Sequence, residues 1–409
     1  MKKISLILIL VFLGLAAYPQ NWSQESTQTH DAYSICFPDT NTGYILWGGI
    51  TYPRFQKTID GSNNWLQHWI FPGGNSTFSK VLFINADTGY VVVNHYIYKT
   101  TDGGDNWTAN SQFNFIVTQI CAIHFPTSET GFVAGFDANL KGKIMKTVDG
   151  GDSWTDSLTS ESFNAIYSIN FTDHNNGYAV GDSGMISATN DGGSNWVDLI
   201  SGTDEVLNAV HFPTDSTGFV VGNYGIILKT NDGGSWSMQN SGVSVNLNAV
   251  YFISSNTGFA VGDSGTILKT IDGGLNWFEQ ISQTTEKLTS IYFPVNSIGY
   301  IAGYNTIVLK NDHITIDTST NITDHWEIFQ SVKVFPNPFQ NFTIIKFDNR
   351  SNKKHALSLY NVNGKLVLMK DNITKDQIRL DRKSLSKGIY FFQLSSEDRS
   401  VGEGKLIID

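Results

Sequence analysis

The side chains best suited to chemistry on this chain are carboxylates. Residues 21–312 hold 26 Asp and Glu against 11 Lys and Arg, a net of −15, while the 409-residue chain carries −10 overall. Two carboxylates flanking a sugar linkage can hydrolyse it, one as acid and one as nucleophile or base. Other chemistry has little to draw on. The nine histidines, among them 30, 95, 124, 174 and 211, are scattered, with no pair at metal-ligand spacing. No run alternates carboxylates as a calcium loop does, and no Gly-x-Ser-x-Gly elbow or Ser–His–Asp order occurs. No metal and no cofactor is expected. Cys36 and Cys121, the only cysteines, read as buried free thiols. An acidic surface disfavours nucleic acid as a partner.

Many of these carboxylates stand in a repeated phrase, Thr-x-Asp-Gly-Gly-x-x-Trp. It runs through Thr100/Asp102/Trp107, Thr147/Asp149/Trp154, Thr189/Asp191/Trp196 and Thr270/Asp272/Trp277. Thr230/Asp232/Trp236 is one residue short, and Thr58/Asp60/Trp65 has Ser62 for the second glycine. Tryptophans 65, 107, 154, 196, 236 and 277 lie 42, 47, 42, 40 and 41 residues apart. Such a period belongs to stacked or radial supersecondary units.

Each unit reads as four short strands. Leu207–Phe212 alternates, Gly218–Gly222 and Gly225–Lys229 follow after polar turns, and Trp236 opens the fourth. Four strands per ~40 residues make a propeller blade. Glycines 43, 89, 131, 177, 218, 258 and 299 count seven second strands, yet the last unit stops at Lys310-Asn311-Asp312 without its Trp. Trp22 lies 43 residues before Trp65, so the N-terminal segment is expected to close the ring as the outer strand of blade seven. That removes free sheet edges. The expected fold is all-β: a seven-bladed β-propeller over 20–312, closed by an N-terminal strand, and a small Ig-like β-sandwich after it.

The Asp-Gly-Gly-x-x-Trp turn resembles the Asp-box of sialidase-type (BNR) propellers, and the whole unit resembles the photosystem II stability/assembly-factor type over roughly 21–312. The resemblance implies a fold and no activity. The Asp should cap its own turn, the glycines supply positive φ, and the Trp packs between blades. Sialidase chemistry grips its substrate carboxylate with three arginines. Residues 21–312 contain one, Arg54, which argues against a sialidase.

The ends carry addresses. Met1-Lys2-Lys3, the apolar run 4–17 and the small residues before the mature region read as a secretory signal over 1–19; the run is too short to span a bilayer, and no other long apolar stretch occurs. Residues 313–331 read as a linker. From 332 to 409 the chain alternates again, with Asn363-Gly364 as a hairpin turn and a sandwich pattern. This domain resembles the type A C-terminal sorting domain of the type IX (Por) secretion system of Bacteroidota. The matching residues are Pro336, Asn337 and Pro338; Gly364 and Lys365; Gly388 and Tyr390; and Lys405. The resemblance implies export across the outer membrane, recognition by the translocon, and removal by a sortase-like peptidase, leaving the product secreted or attached at the cell surface.

A ligand is expected on the face of the turns between second and third strands. Insertions on one face of a repeat ring mark the binding side. The candidates are Trp47, Tyr52, Arg54 and Phe55 in the expanded turn of blade one, Phe136 in that of blade three, and Tyr96, Asp182, Tyr224, Asp263 and Tyr304 in the tight turns. Aromatics beside Asn and Asp suit sugar rings or a protein loop. The expected role is binding of a glycan or protein partner without catalysis. The alternative is a glycoside hydrolase or lyase acting on extracellular polysaccharide.

Overall fold

A computed structural model describes residues 22–24, 31–48, 54–70, 79–110, 117–157, 164–305, 307–312, 314, 333–347, 349, 353–361, 366–382, 385–396 and 399–409. The chain separates after Asp317 into two compact units. In the first, the described residues form seven four-stranded antiparallel sheets. Blade 5 is typical: Leu207–His211, Gly218–Gly222, Ile227–Thr230 and Ser237–Gln239, in chain order from inner to outer strand. Blade 7 is composite. Ser23–Gln24 pairs with Val308–Asn311, in the register Ser23↔Lys310 and Gln24↔Leu309, so the N-terminal strand does close the ring.

The joints between blades explain the repeat. At six of the seven joints the aromatic residue that closes the first strand stacks on an aromatic from the second strand of the preceding blade, and at the seventh Phe293 meets Phe259 at a tilt. Phe83 lies on Tyr44 with centroids 3.8 Å apart, Phe171 on Phe132 at 3.9 Å, and Phe37 on Tyr300 at 3.8 Å where blade 1 meets blade 7. A Trp stands edge-on to each stack: Trp107 to Phe83, Trp196 to Phe171, Trp65 to Phe37. These offset and T-shaped contacts suit the ring quadrupoles. The counted glycines make room for the stack. A Cβ on Gly177 would lie 2.5 Å from the Phe171 ring. Gly177→Ala should therefore cost roughly 1–3 kcal/mol by overpacking, read as a lower urea midpoint at unchanged slope.

The Asp turns hold themselves and lock to the next blade. The Thr100 hydroxyl donates to Asp102 and accepts the Gly104 N–H at 3.0 Å, while Asp102 accepts the Asn106 N–H at 2.8 Å. These donors hold the Asp102 carboxyl down at about 2, led by the Asn106 N–H and amide. From the preceding blade, the Tyr44 hydroxyl and the Lys57 ammonium both donate to the Gly103 carbonyl, at 2.9 and 2.8 Å. Lys146 and Lys310 do the same to Gly192 and Gly61. The turn carboxylates are structural.

Inner strands solve a second problem. Their edges face no fifth strand, so the neighbouring blade's side chains accept their N–H groups. Ser34 accepts from Val81, Cys36 from Phe83, Ser168 from Val210, Ser290 from Ile35, and His211 Nδ1 from Phe252 at 3.3 Å. His124 is also hydrogen-bonded to the Phe171 backbone, in the sense that favours its charged form. Burial pushes both histidines down to about 4, and the two oppose each other's charging. Both cysteines are buried and free.

The second unit has two sheets. One orders Lys333–Phe335, Phe342–Lys346 and Gln377–Asp381; the other orders Leu366–Ile373, His355–Asn361, Gly388–Ser396 and Arg399–Ile408. Its core includes Phe339, Ile345, Leu357, Leu359, Phe392, Leu394 and Leu406.

Candidate functional site

The turns between second and third strands share one geometry in blades 4 to 6. The middle residue sits in the left-handed region: Ser183 at φ 55°, Tyr224 at φ 54°, Ser264 at φ 57°. Ser and Asn tolerate this conformation better than a bulky side chain does. Tyr224 is the exception, and its ring is 66% exposed. Its backbone N–H donates to Asn246 Oδ1 at 3.1 Å, which fixes the turn.

From Tyr224 a polar chain runs across three blades. The Asn246 amide donates to Asp263 Oδ2 at 3.0 Å, and Asn248 donates to Asp263 Oδ1 at 2.9 Å. Lys287 Nζ lies 3.7 Å from Asp263 and 5.7 Å from the Tyr304 ring centre. Tyr304 meets Tyr33 of blade 1 edge-on, centroids 5.6 Å apart. Three expected residues, Tyr224, Asp263 and Tyr304, are thus brought into one arc over blades 5 to 7. Asp263 is already committed: it takes two amides and one ammonium.

The other candidates fall elsewhere. Asp182 is hydrogen-bonded by the Tyr167 hydroxyl. It lines a separate cleft of about 480 Å³ on blade 4 with Ser183, Met185, Asp198, Ile200 and Asp204. Tyr96 packs on His95 and Tyr98 in blade 2. Phe136 ends a strand of blade 3, and the adjoining loop is held by Asp137, which accepts the Asn139 and Lys141 N–H groups. Arg54 is half-buried and pairs with Trp47 and Ile70. Tyr52 lies outside the described residues.

Two expectations need correction. Trp47 and Phe55 are buried, at 2% and 0% exposure. The second strand runs on to Gly48 and the third begins at Arg54, so both residues belong to strands. Phe55 packs on Tyr44 and Trp107, and Trp47 packs with Ala32, Ile45 and Tyr300. Neither offers a face to a ligand.

In the second unit, Asn337 Oδ1 accepts the Ile407 N–H at 2.8 Å, and Phe339 exchanges backbone bonds with Ile407 and Asp409. Pro336 takes the Thr343 hydroxyl on its carbonyl, while Pro338 is exposed. The Pro336–Pro338 segment is therefore fastened to the last strand, which contains Lys405. Gly388 opens the neighbouring strand at φ 148°, and the buried Tyr390 donates to the Ser386 carbonyl at 3.0 Å. Gly364 and Lys365 lie outside the described residues.

Comparison with known proteins agrees with this division. Residues 333–409 match the secretion system C-terminal sorting domain family. Residues 156–241 and 235–327 match the family of the photosynthesis system II assembly factor YCF48. Among solved structures, YCF48 bound to a D1 peptide is 20% identical, with a TM-score of 0.60 over 75% of this chain and 99% of that one. YCF48 from Cyanidioschyzon merolae is 18% identical, with a TM-score of 0.57 over 71% and 98%. The WD40 propeller domain of Doa1 is 10% identical, with a TM-score of 0.57 over 74% and 98%. No curated protein matches the sequence. At these identities the solved structures establish the propeller fold. The chain joins a β-propeller similar to the YCF48 assembly factors to a C-terminal sorting domain of the secretion-system family.

Proposed function

We propose that the propeller is a non-catalytic binding module, carried out of the cell by its sorting domain, which grips a glycan or protein through the arc from Tyr224 to Tyr304. The observation that carries this is Tyr224. A bulky residue kept at φ 54° with its ring in solvent adds strain without adding core, and strain of that kind accumulates at functional sites. The YCF48 structure with a D1 peptide supports a propeller of this form receiving a partner. Export begins with the leader at 1–19, continues through the type IX translocon by way of 332–409, and ends with removal of the sorting domain by a sortase-like peptidase.

One feature favours the enzymatic alternative. The cleft on blade 4 gathers Asp182, Asp198 and Asp204, and partial desolvation raises the Asp198 carboxyl although the residue as a whole is exposed. Paired carboxyl groups about one cleft are what glycoside cleavage uses.

The deciding experiment probes the full chain on glycan arrays and polysaccharide pull-downs, with a reducing-end release assay on each hit. Binding without release, weakened about tenfold or more in Tyr224→Ala at unchanged melting temperature, is the expected outcome. Product release abolished by Asp198→Asn would replace the binding reading with the enzymatic one. Binding that Tyr224→Ala leaves intact would move the site off the arc.

A further inference from the structure

The seven inner strands touch one another in a closed ring. In blades 4 to 7 their burial alternates in one way: first and fourth residues buried, second, third and fifth partly exposed. In those four blades the partly exposed positions face the ring axis, while the equivalent Ser34, Cys36 and Ala122 of blades 1 and 3 are buried. One tier, at the fifth position, holds Cys36, Leu82, His124, Asn170, His211, Tyr251 and Tyr292, which are mostly large. The tier at the third position, nearer the face of the Tyr224 arc, holds Ser34, Lys80, Ala122, Ser168, Ala209, Ala249 and Ser290. Six of these are small and one is a lysine. Lys80 is the only Lys or Arg on the seven inner strands.

Among the described residues its ammonium has no counterion, and burial lowers its pKa. Among the described residues Lys80 makes no ion pair or hydrogen bond, and the titratable group it senses is the Cys121 thiol. Other lysines of the propeller are engaged: Lys57, Lys146 and Lys310 hold turn carbonyls, Lys99 holds Asp152, and Lys229 lies over Phe219. A half-buried charge without a partner is costly and is normally matched. The surroundings specify the match. Ser34, Ser168 and Ser290 each accept a backbone N–H on the hydroxyl oxygen, so each O–H remains free to donate. One ammonium among hydroxyl donors suits an acceptor-only monoanion. A phosphate dianion would need more positive charge.

We propose that the axial channel, entered from the face of the Tyr224 arc, holds one carboxylate against the Lys80 ammonium. This rests on that face being the binding side, and it sets the ligand class: an acid, either a small free one or the acid group of a sugar.

The test is a titration of the full chain labelled with 13C and 15N in lysine, followed by NMR. Sodium acetate and sodium glucuronate are the probes; glucose and sodium chloride at matched ionic strength are the controls. The expected result is a saturable shift of the Lys80 side-chain signal with the carboxylates and none with glucose. The signal is identified by its loss in Lys80→Met, which keeps most of the side chain's length without its charge. Glucuronate binding tenfold tighter than acetate would assign the acid to a sugar, and equal affinity to a small free acid. No saturable response to either carboxylate, or an equal response to chloride, overturns the proposal. Neither result depends on Tyr224, so the arc and the channel stand or fall separately. If Lys80→Met fails to fold, the loss of the signal in Lys80→Arg identifies it instead.

Discussion

Trp22→Ala should destabilise the propeller more than any other single truncation, by about 3–5 kcal/mol. Trp22 is fully buried and lies among Ile253, Phe259, Ile291, Phe293, Ile301 and Leu309 of blades 6 and 7. Its ring stands edge-on to Phe259, centroids 6.2 Å apart, where Trp65 and its counterparts stand at other joints. Its strand adds little of its own: Ser23 and Gln24 are exposed and contribute a two-residue ladder. The tryptophan is thus the bolt and the strand a short hasp. Urea unfolding of the full chain checks this, with Trp65→Ala as the comparison. A loss below about 1 kcal/mol would mean that blade 7 is held by its three C-terminal strands alone.

Acidification from pH 6.5 to 4 should cost the propeller stability well before its carboxylates protonate. His124 and His211 are held near 4 in the fold by burial, against about 6.5 in an unfolded chain. Between those values the unfolded chain binds more protons, so stability falls as pH falls. Their contribution is fully present above pH 6.5 and gone by about pH 4. Each shift corresponds to at most about 3 kcal/mol, less where water reaches the channel. The hydrogen bond from Phe252 to His211 Nδ1 demands the neutral ring, so the acceptor is lost as well as the solvation. The Asp turns respond in a lower window, since carboxyls such as Asp102 sit near 2. Urea midpoints at pH 7.5, 5.5 and 4.5 give the profile. His211→Gln, which keeps an acceptor and cannot titrate, should flatten it. A wild-type midpoint unchanged from pH 7.5 to 4.5 would rule the mechanism out.

The blades were legible because the residues that make them recur at one spacing. Gly177 and its counterparts clear space for a ring, Asp102 caps its own turn, and each acts within a few residues of itself. Even the borrowed strand could be inferred, since Trp22 keeps the period. The mistaken residues show where reading by loop length fails. Trp47 lies four residues after Gly43, as Gly222 does after Gly218. Phe55 lies three before Thr58, as Ile227 does before Thr230. Aligning on the repeat places both in strands and leaves only 49–53 to the insertion. The arc was partly visible, as turn residues of interest, but its continuity was not. Asn246 reaches Tyr224 and Asp263 only because two blades abut. The acceptor role of His211 is hidden for the same reason. Lys80 could have been found, since one cation among seven inner strands is a sequence fact once the strands are assigned.

The borrowed strand also sets a timetable. Ser23 meets Lys310 across 287 residues, so the ring cannot shut until nearly the whole propeller has emerged. Until then the molecule is an open arc with one joint unmade and a bare edge at Val308–Asn311. Closing a long loop costs only a few RT more than closing a short one; the hazard is one of time, because an open arc can accept the N-terminal strand of a neighbouring copy as readily as its own. Closure among dilute copies would spare the protein that exchange.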